Sequence, residues 1–121
     1  MIVAGIGFRK SADIDALRDA FLRAGGHRAT AIATAKDKSE AAVLQALAAE
    51  TRLPICAVEV SDLAGQAVQT RSARVTALYG TGSLAEAAAL AAAGPGAKLI
   101  VARVTSADGT ATAALAERIS K

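Results

Sequence analysis

Ile2-Val3-Ala4-Gly5-Ile6-Gly7 opens the chain as an unbroken apolar run closing on two glycines. A run this short and uniform, without polar alternation, has the pattern of a strand covered on both faces. Such a strand needs helices on either side, and the next residues supply one. Ser11 stands as N-cap for a helix over residues 12–24, where Ile14, Leu17 and Phe21 recur at helical spacing before Gly25-Gly26 ends it. Thr30 to Thr34 reads as a second short strand. Asp37 and Glu40 stand at capping-box spacing ahead of a helix over residues 40–51, with Val43, Leu44 and Leu47 facing inward. Pro54 then introduces a third strand, Ile55 to Val60. Strand, helix, strand, helix, strand at this spacing implies βαβ units and a largely parallel sheet with right-handed crossovers.

The organisation changes after residue 60. Ser61-Asp62-Leu63 reads as one helical turn, followed by a polar connection from Gly65 to Ser72 that contains Gln66, Gln69 and Arg71. A connection this long without periodicity is more often functional or mobile than structural. An apolar run ending near Leu78 leads into Tyr79-Gly80-Thr81-Gly82-Ser83-Leu84-Ala85-Glu86, where Ser83 and Glu86 form a second capping-box pattern. The alanine-rich helix that follows, over residues 84–93, stops at Gly94-Pro95-Gly96. Lys98 to Thr105 is a further strand, and Asp108-Gly109 is a hairpin signal that pairs residues 111–115 antiparallel to it. Leu115 and Ile119 also fit a helix, but a strand giving way to a short polar terminus is the expectation. The predicted fold is α/β: a three-layer α/β/α sandwich on a mostly parallel, mixed sheet of about five strands, the last antiparallel through a hairpin. Residues 1–121 are expected to form one domain.

Composition narrows the function. The chain is 53% hydrophobic, yet its aromatic residues are only Phe8, Phe21 and Tyr79. Its core must therefore come from Ala, Val, Leu and Ile. Net charge is +3, from 14 basic and 11 acidic residues with no clustered basic block. Scattered charge and scarce aromatics argue against nucleic-acid binding. The single cysteine, Cys56, rules out an internal disulfide framework and fits a reducing compartment. No leader pattern and no apolar run of membrane-spanning length is seen, so a cytoplasmic location is expected.

Gly5-Ile6-Gly7 between a strand and a helix invites a dinucleotide-binding reading, which fails twice. Lys10 stands where the third glycine of the fingerprint belongs, and the second strand ends at Thr34 rather than at an acidic residue for a ribose. Small residues at the carboxyl end of a strand still let a ligand approach, with Arg9 and Lys10 beside the crevice; a plain tight turn explains the glycines equally. Thr34 and Lys38 hold the equivalent place after the second strand and suit a carboxylate, though an ordinary solvated loop with a helix cap explains them too. Gly80, Thr81, Gly82 and Ser83 at a helix start leave N–H groups that attract an anion, with Glu86 closing the cap. His27 follows two glycines in a turn, and Cys56 lies within an apolar strand; neither reads as catalytic. One His and one Cys cannot supply a dedicated metal site, and no cofactor is called for.

The order of these segments resembles the CobE / CbiG C-terminal domain family of cobalamin biosynthesis. The resemblance is carried by Gly5-Ile6-Gly7-Phe8-Arg9-Lys10, by the Thr34 to Lys38 loop with Leu53-Pro54 after its helix, and by Gly80-Thr81-Gly82-Ser83-Leu84-Ala85-Glu86-Ala87-Ala88-Ala89-Leu90. Gly94 and the strand over Lys98 to Arg103 continue it along nearly the whole chain. The resemblance implies a role in the corrin pathway. In two-domain relatives of the anaerobic route, the larger protein opens a lactone on a cobalt-precorrin and releases acetaldehyde; here the C-terminal-type domain is expected to stand alone. The expected ligand is a precorrin or corrinic acid, whose acetate and propionate arms suit Gly7, Arg9, Lys10, Thr34, Lys38, Gly80 to Ser83 and Glu86. The stretch from Gln66 to Arg74 is expected to cover the macrocycle. Two alternatives stay open: a hydrolase or C–C bond-cleaving enzyme acting on a precorrin lactone, with Glu86, Glu40 or His27 as base, and a partner subunit of another corrin-pathway enzyme.

Overall fold

The computed structural model of the chain describes residues 1–79 and 81–119, apart from the side chain of Arg74. Strands β1 (Ile2–Phe8), β2 (Ala31–Ala35), β3 (Ile55–Val58), β4 (Lys98–Thr105) and β5 (Ala111–Glu117) form one sheet in the order β3-β2-β1-β5-β4. The first three are parallel, while β5 runs antiparallel to both β1 and β4. The helices are α1 (Ile14–Arg23), α2 (Ala42–Thr51), the single turn α3 (Val60–Leu63), α4 (Ala73–Tyr79) and α5 (Leu84–Ala93). The expected mixed α/β architecture is the observed one.

Alternation along the strands builds two cores. Ala4, Ile6, Ile32 and Leu115 face α1 and α2, where Leu17, Phe21, Leu44 and Leu47 pack on them. Val3, Ala31, Ala33 and Ala116 face the other way, onto Leu63 of α3 and Ala88, Ala89 and Leu90 of α5. On that second side the helix lies almost backbone to backbone with β1. A Cβ at Gly5 would stand 1.8 Å from the Ala85 carbonyl oxygen and 2.7 Å from the Ala89 nitrogen. Only glycine fits there, and the helix meets it at the small residues Ala85 and Ala89. The opening glycine therefore serves packing, and it fixes where the start of α5 sits relative to the end of β1.

Several element boundaries differ from those predicted. α1 starts at Ile14 because Asp13, not Ser11, caps it by accepting the Ala16 N–H at 2.9 Å. β2 runs one residue later than expected, over Ala31–Ala35. The Asp37/Glu40 capping box does not form: residues Lys36–Lys38 make a 3-10 turn, and α2 begins at Ala42 with no side-chain cap. That turn is held by the Ser39 hydroxyl donating to the Lys36 carbonyl at 2.7 Å, and the Asp37 carboxylate faces Tyr79 instead. β3 stops at Val58 because Glu59 already serves as N-cap of α3. The apolar run before Gly80 is the helix α4, and the N–H of Ser72 just before it donates to the Gly82 carbonyl at 2.7 Å.

Candidate functional site

Two reversals of direction, β1 to β5 and β5 to β4, bring the carboxyl ends of β1 and β4 to the same edge of the sheet as the start of β5. The hairpin between β4 and β5 therefore overhangs the end of β1. It is stiffened from within: the Asp108 carboxylate accepts from the Ser106 hydroxyl at 2.7 Å, the Thr110 hydroxyl at 2.8 Å and the Thr110 N–H at 3.0 Å. The Arg9 N–H donates to the Thr110 carbonyl at 2.9 Å and ties the hairpin to the loop after β1.

A hollow of about 300 Å³ opens here. It is lined by the end of β1 and the residue after it, Gly7, Phe8 and Arg9. Arg103, Thr105 and Thr112 form one wall, while Ser72, Val75 and Leu78 on and beside α4 form the other. A second hollow of about 420 Å³ adjoins it and is lined by Lys10, Asp37 and the start of α2. The two share Phe8, Arg9 and Lys38. Lys38 donates from its ammonium to the Phe8 carbonyl at 2.8 Å and lies 4.8 Å from the centre of the Phe8 ring, a cation–π contact. Among the described lining residues the first hollow has three cations, Arg9, Lys38 and Arg103, and no carboxylate. The second adds Lys10 and one acid, Asp37.

That acid is engaged. The Tyr79 hydroxyl donates to the Asp37 carboxylate, 3.1 Å from one oxygen and 3.4 Å from the other, and joins α4 to the turn after β2. Burial, the Asp37 charge and this bond push the Tyr79 phenol up to about 12, so it stays neutral at physiological pH.

Glu86 is the other conspicuous polar group, fully buried on α5. The Ser83 hydroxyl accepts the Glu86 N–H at 3.3 Å, so half of the predicted capping box exists. The carboxylate does not return to close it. One oxygen accepts the N–H groups of Gln69 at 2.7 Å and Thr70 at 2.8 Å; the other accepts the Thr70 hydroxyl at 2.7 Å and the Arg103 N–H at 2.8 Å. Burial disfavours the charge and is the largest single influence, yet the four donors outweigh it and hold the carboxyl below its ordinary range. Glu86 thus clamps three elements: α5, the strap before α4, and β4 at the residue that carries a cation into the hollow.

Of the residues expected at a site, Gly7, Arg9 and Lys38 meet in the first hollow and Lys10 lines the second. Thr34, Thr81, Ser83 and Glu86 are buried and line neither hollow. Thr34 donates its hydroxyl to the Ile6 carbonyl at 2.8 Å and so ties β2 to β1. Thr81 Oγ1 is buried with no hydrogen-bond partner among the described residues. Gly82 lies under the strap, where a Cβ would come 2.8 Å from Arg71 Cα and from the Thr70 carbonyl oxygen. The helix start at residues 81–83 is therefore roofed by the chain's own backbone. Gly80 lies outside the described residues. Arg103, Thr105, Thr112 and the α4 wall escaped sequence reasoning. The hairpin signal at Asp108-Gly109, had it been combined with pairing of β5 to β1, would have put Thr112 opposite Gly7.

His27, exposed in a 3-10 turn ahead of β2, lies at the opposite sheet edge, and Glu40 is exposed and lines neither hollow. No group of three or more His, Cys, Asp or Glu residues is arranged to hold a metal ion among the described residues. No described helix is long and apolar enough to cross a membrane.

Comparisons with known proteins give the same family along the whole chain. The family model described as cobalamin synthesis G C-terminus matches residues 2–116. The crystal structure of CobE, a protein from the cobalamin (vitamin B12) biosynthetic pathway, superposes with a TM-score of 0.87 at 28% identity, over 100% of this chain and 92% of that one. Cobalamin biosynthesis protein chiG from Agrobacterium tumefaciens str. C58 is 31% identical with a TM-score of 0.74, over 99% of this chain and 100% of its own. A cobalamin biosynthesis protein G homologue from Sulfolobus solfataricus shares the fold at a TM-score of 0.68 and 22% identity, over 95% of this chain and 36% of that longer one. A search of curated proteins finds no significant match. The chain belongs to the family of cobalamin biosynthesis proteins defined by the cobalamin synthesis G C-terminus.

Proposed function

We propose that this protein binds a precorrin or corrinic-acid intermediate in the cytoplasm and assists its processing or its transfer to another enzyme of the corrin pathway. The observation that carries the reading is the convergence of Arg9, Lys38 and Arg103 on one hollow without a carboxylate among its described lining. The same lining carries the apolar side chains Val75, Leu78 and Leu84. A flat apolar ring fringed with acetate and propionate arms is complementary to both features. Binding is favoured over hydrolysis because Asp37, the one acid among the described residues lining the hollows, is tied to Tyr79. Glu86 faces four donors inside the fold and is not available as a base.

The test is an absorbance titration with cobyrinic acid, with metal-free corrinic acid, and with the methyl ester of cobyrinic acid, in which the arms carry no charge. Both acids are expected to bind without conversion, the ester at least tenfold more weakly, and Arg9→Ala to weaken the acids by about tenfold. Equal affinity for acid and ester, or no spectral response to either acid, would refute the reading.

A further inference from the structure

The proposed ligand is larger than either hollow. About 300 Å³ lies at the bottom of the range that encloses a drug-sized molecule, and a corrin with its arms is bulkier than that. The neighbouring hollow of about 420 Å³ shares Phe8, Arg9 and Lys38 with the first. The Tyr79–Asp37 hydrogen bond also links the two, since Tyr79 lines the first hollow and Asp37 the second. Each hollow also has a cation of its own: Arg103 on β4 at one end, Lys10 after β1 at the other, with Arg9 and Lys38 in common.

We propose that the two hollows are halves of one trough and that a single tetrapyrrole acid straddles the Phe8–Lys38 ridge between them. The inference rests on the functional reading above and adds the mode of binding. The apolar ring face lies on the ridge and against the α4 wall. One group of carboxylate arms reaches Arg103 and Arg9, and the group on the opposite side of the ring reaches Lys10. Leu78, at the rim and 62% exposed, gains cover from the ring edge. Recognition is then a matter of span: a molecule with arms on one side only fills half the trough.

The two ends can be tested separately, because Arg103 lines only the first hollow and Lys10 only the second. Cobyrinic acid is titrated into the unaltered chain, Arg103→Ala, Lys10→Ala and the double variant, with circular dichroism confirming that each is folded. Each single change should raise Kd by about fivefold and the double change by about twenty-five-fold, since the two sites are independent. A monopyrrole bearing one acetate and one propionate should respond to only one of the two changes. If Arg103→Ala weakens cobyrinic acid while Lys10→Ala leaves it unaltered, or the reverse, the ligand occupies one hollow and the straddling mode is wrong, although the binding reading survives. If the unaltered chain does not bind cobyrinic acid, the binding reading falls and this inference with it.

Discussion

Replacing Glu86 by glutamine is the sharpest probe of how the site is assembled. The carboxylate has two oxygens and four donors, arranged two and two. An amide keeps one oxygen. With that oxygen toward Gln69 and Thr70, the new NH₂ faces the Arg103 N–H, donor against donor, while the Thr70 hydroxyl can rotate to accept. One hydrogen bond to a charged acceptor is lost and a donor is left unsatisfied, a cost of about 2 kcal/mol. Glu86→Ala removes the acceptor for all four donors and is expected to cost about 4 kcal/mol. For a domain of this size each kcal/mol lowers Tm by roughly 4 °C, so losses of about 8 °C and 16 °C are expected near neutral pH.

The dependence on pH separates this account from a simple packing defect. The carboxyl is held below its ordinary 4.5 in the folded chain. A depressed folded value contributes stability above the unfolded value, and that contribution disappears as pH falls through the folded one. The Tm gap between the wild-type chain and Glu86→Gln should therefore narrow on acidification below about 4.5. Hydrogen exchange supplies a local readout: the amides of Gln69, Thr70 and Arg103 should exchange faster in the variant while those of β1 and β2 change least. Equal Tm values at neutral pH, or a gap that is constant into acid, would refute the clamp.

Gly5→Ala places a methyl group 1.8 Å from the Ala85 carbonyl oxygen, so α5 must shift away from β1. A loss of roughly 3 kcal/mol or failure to accumulate folded protein is expected, and a Tm within about 2 °C of wild type would contradict the packing described. Tyr79 should ionise near 12 in an ultraviolet titration, against an ordinary value of 10.0. Because that value is raised, its stabilising contribution is complete below about 10 and fades as pH rises towards 12; Tyr79→Phe should lack this alkaline loss and cost about 1 kcal/mol at neutral pH.

Local signals made the parallel half of the molecule legible. The uniform apolar run of β1, the helical spacing of Leu17 and Phe21, and the glycine pair after α1 each speak within a few residues of sequence. Ser83 was likewise readable as a cap, because the bond it makes to the Glu86 N–H spans only three positions. What remained hidden depends on distant partners. Glu86 has the same spacing from Ser83 in either role, yet its carboxylate faces donors sixteen and seventeen residues away. Asp37 and Glu40 had the spacing of a cap but not the geometry, since the chain turns tightly at Lys36–Lys38 and Asp37 meets Tyr79 42 residues on. Arg103 looked like one more charge on an alternating strand; only the return of β5 beside β1 brings it to the mouth of the hollow. Thr34 illustrates the opposite error, a hydroxyl at the right strand end that the sheet itself engages.

The central place of β5 bears on how the protein is made. The first strand has its parallel neighbour by residue 35, but its other neighbour is the last strand, with Ile2 opposite Glu117. During synthesis the other flank of β1 must wait until residues 111–117 emerge, a long loop closure of the kind that slows folding. Until then the nascent chain presents a row of unpaired amides along an apolar strand, open to any passing strand. The late arrival of β5 therefore makes the folding chain, rather than the finished fold, the state in which β1 is open to mispairing.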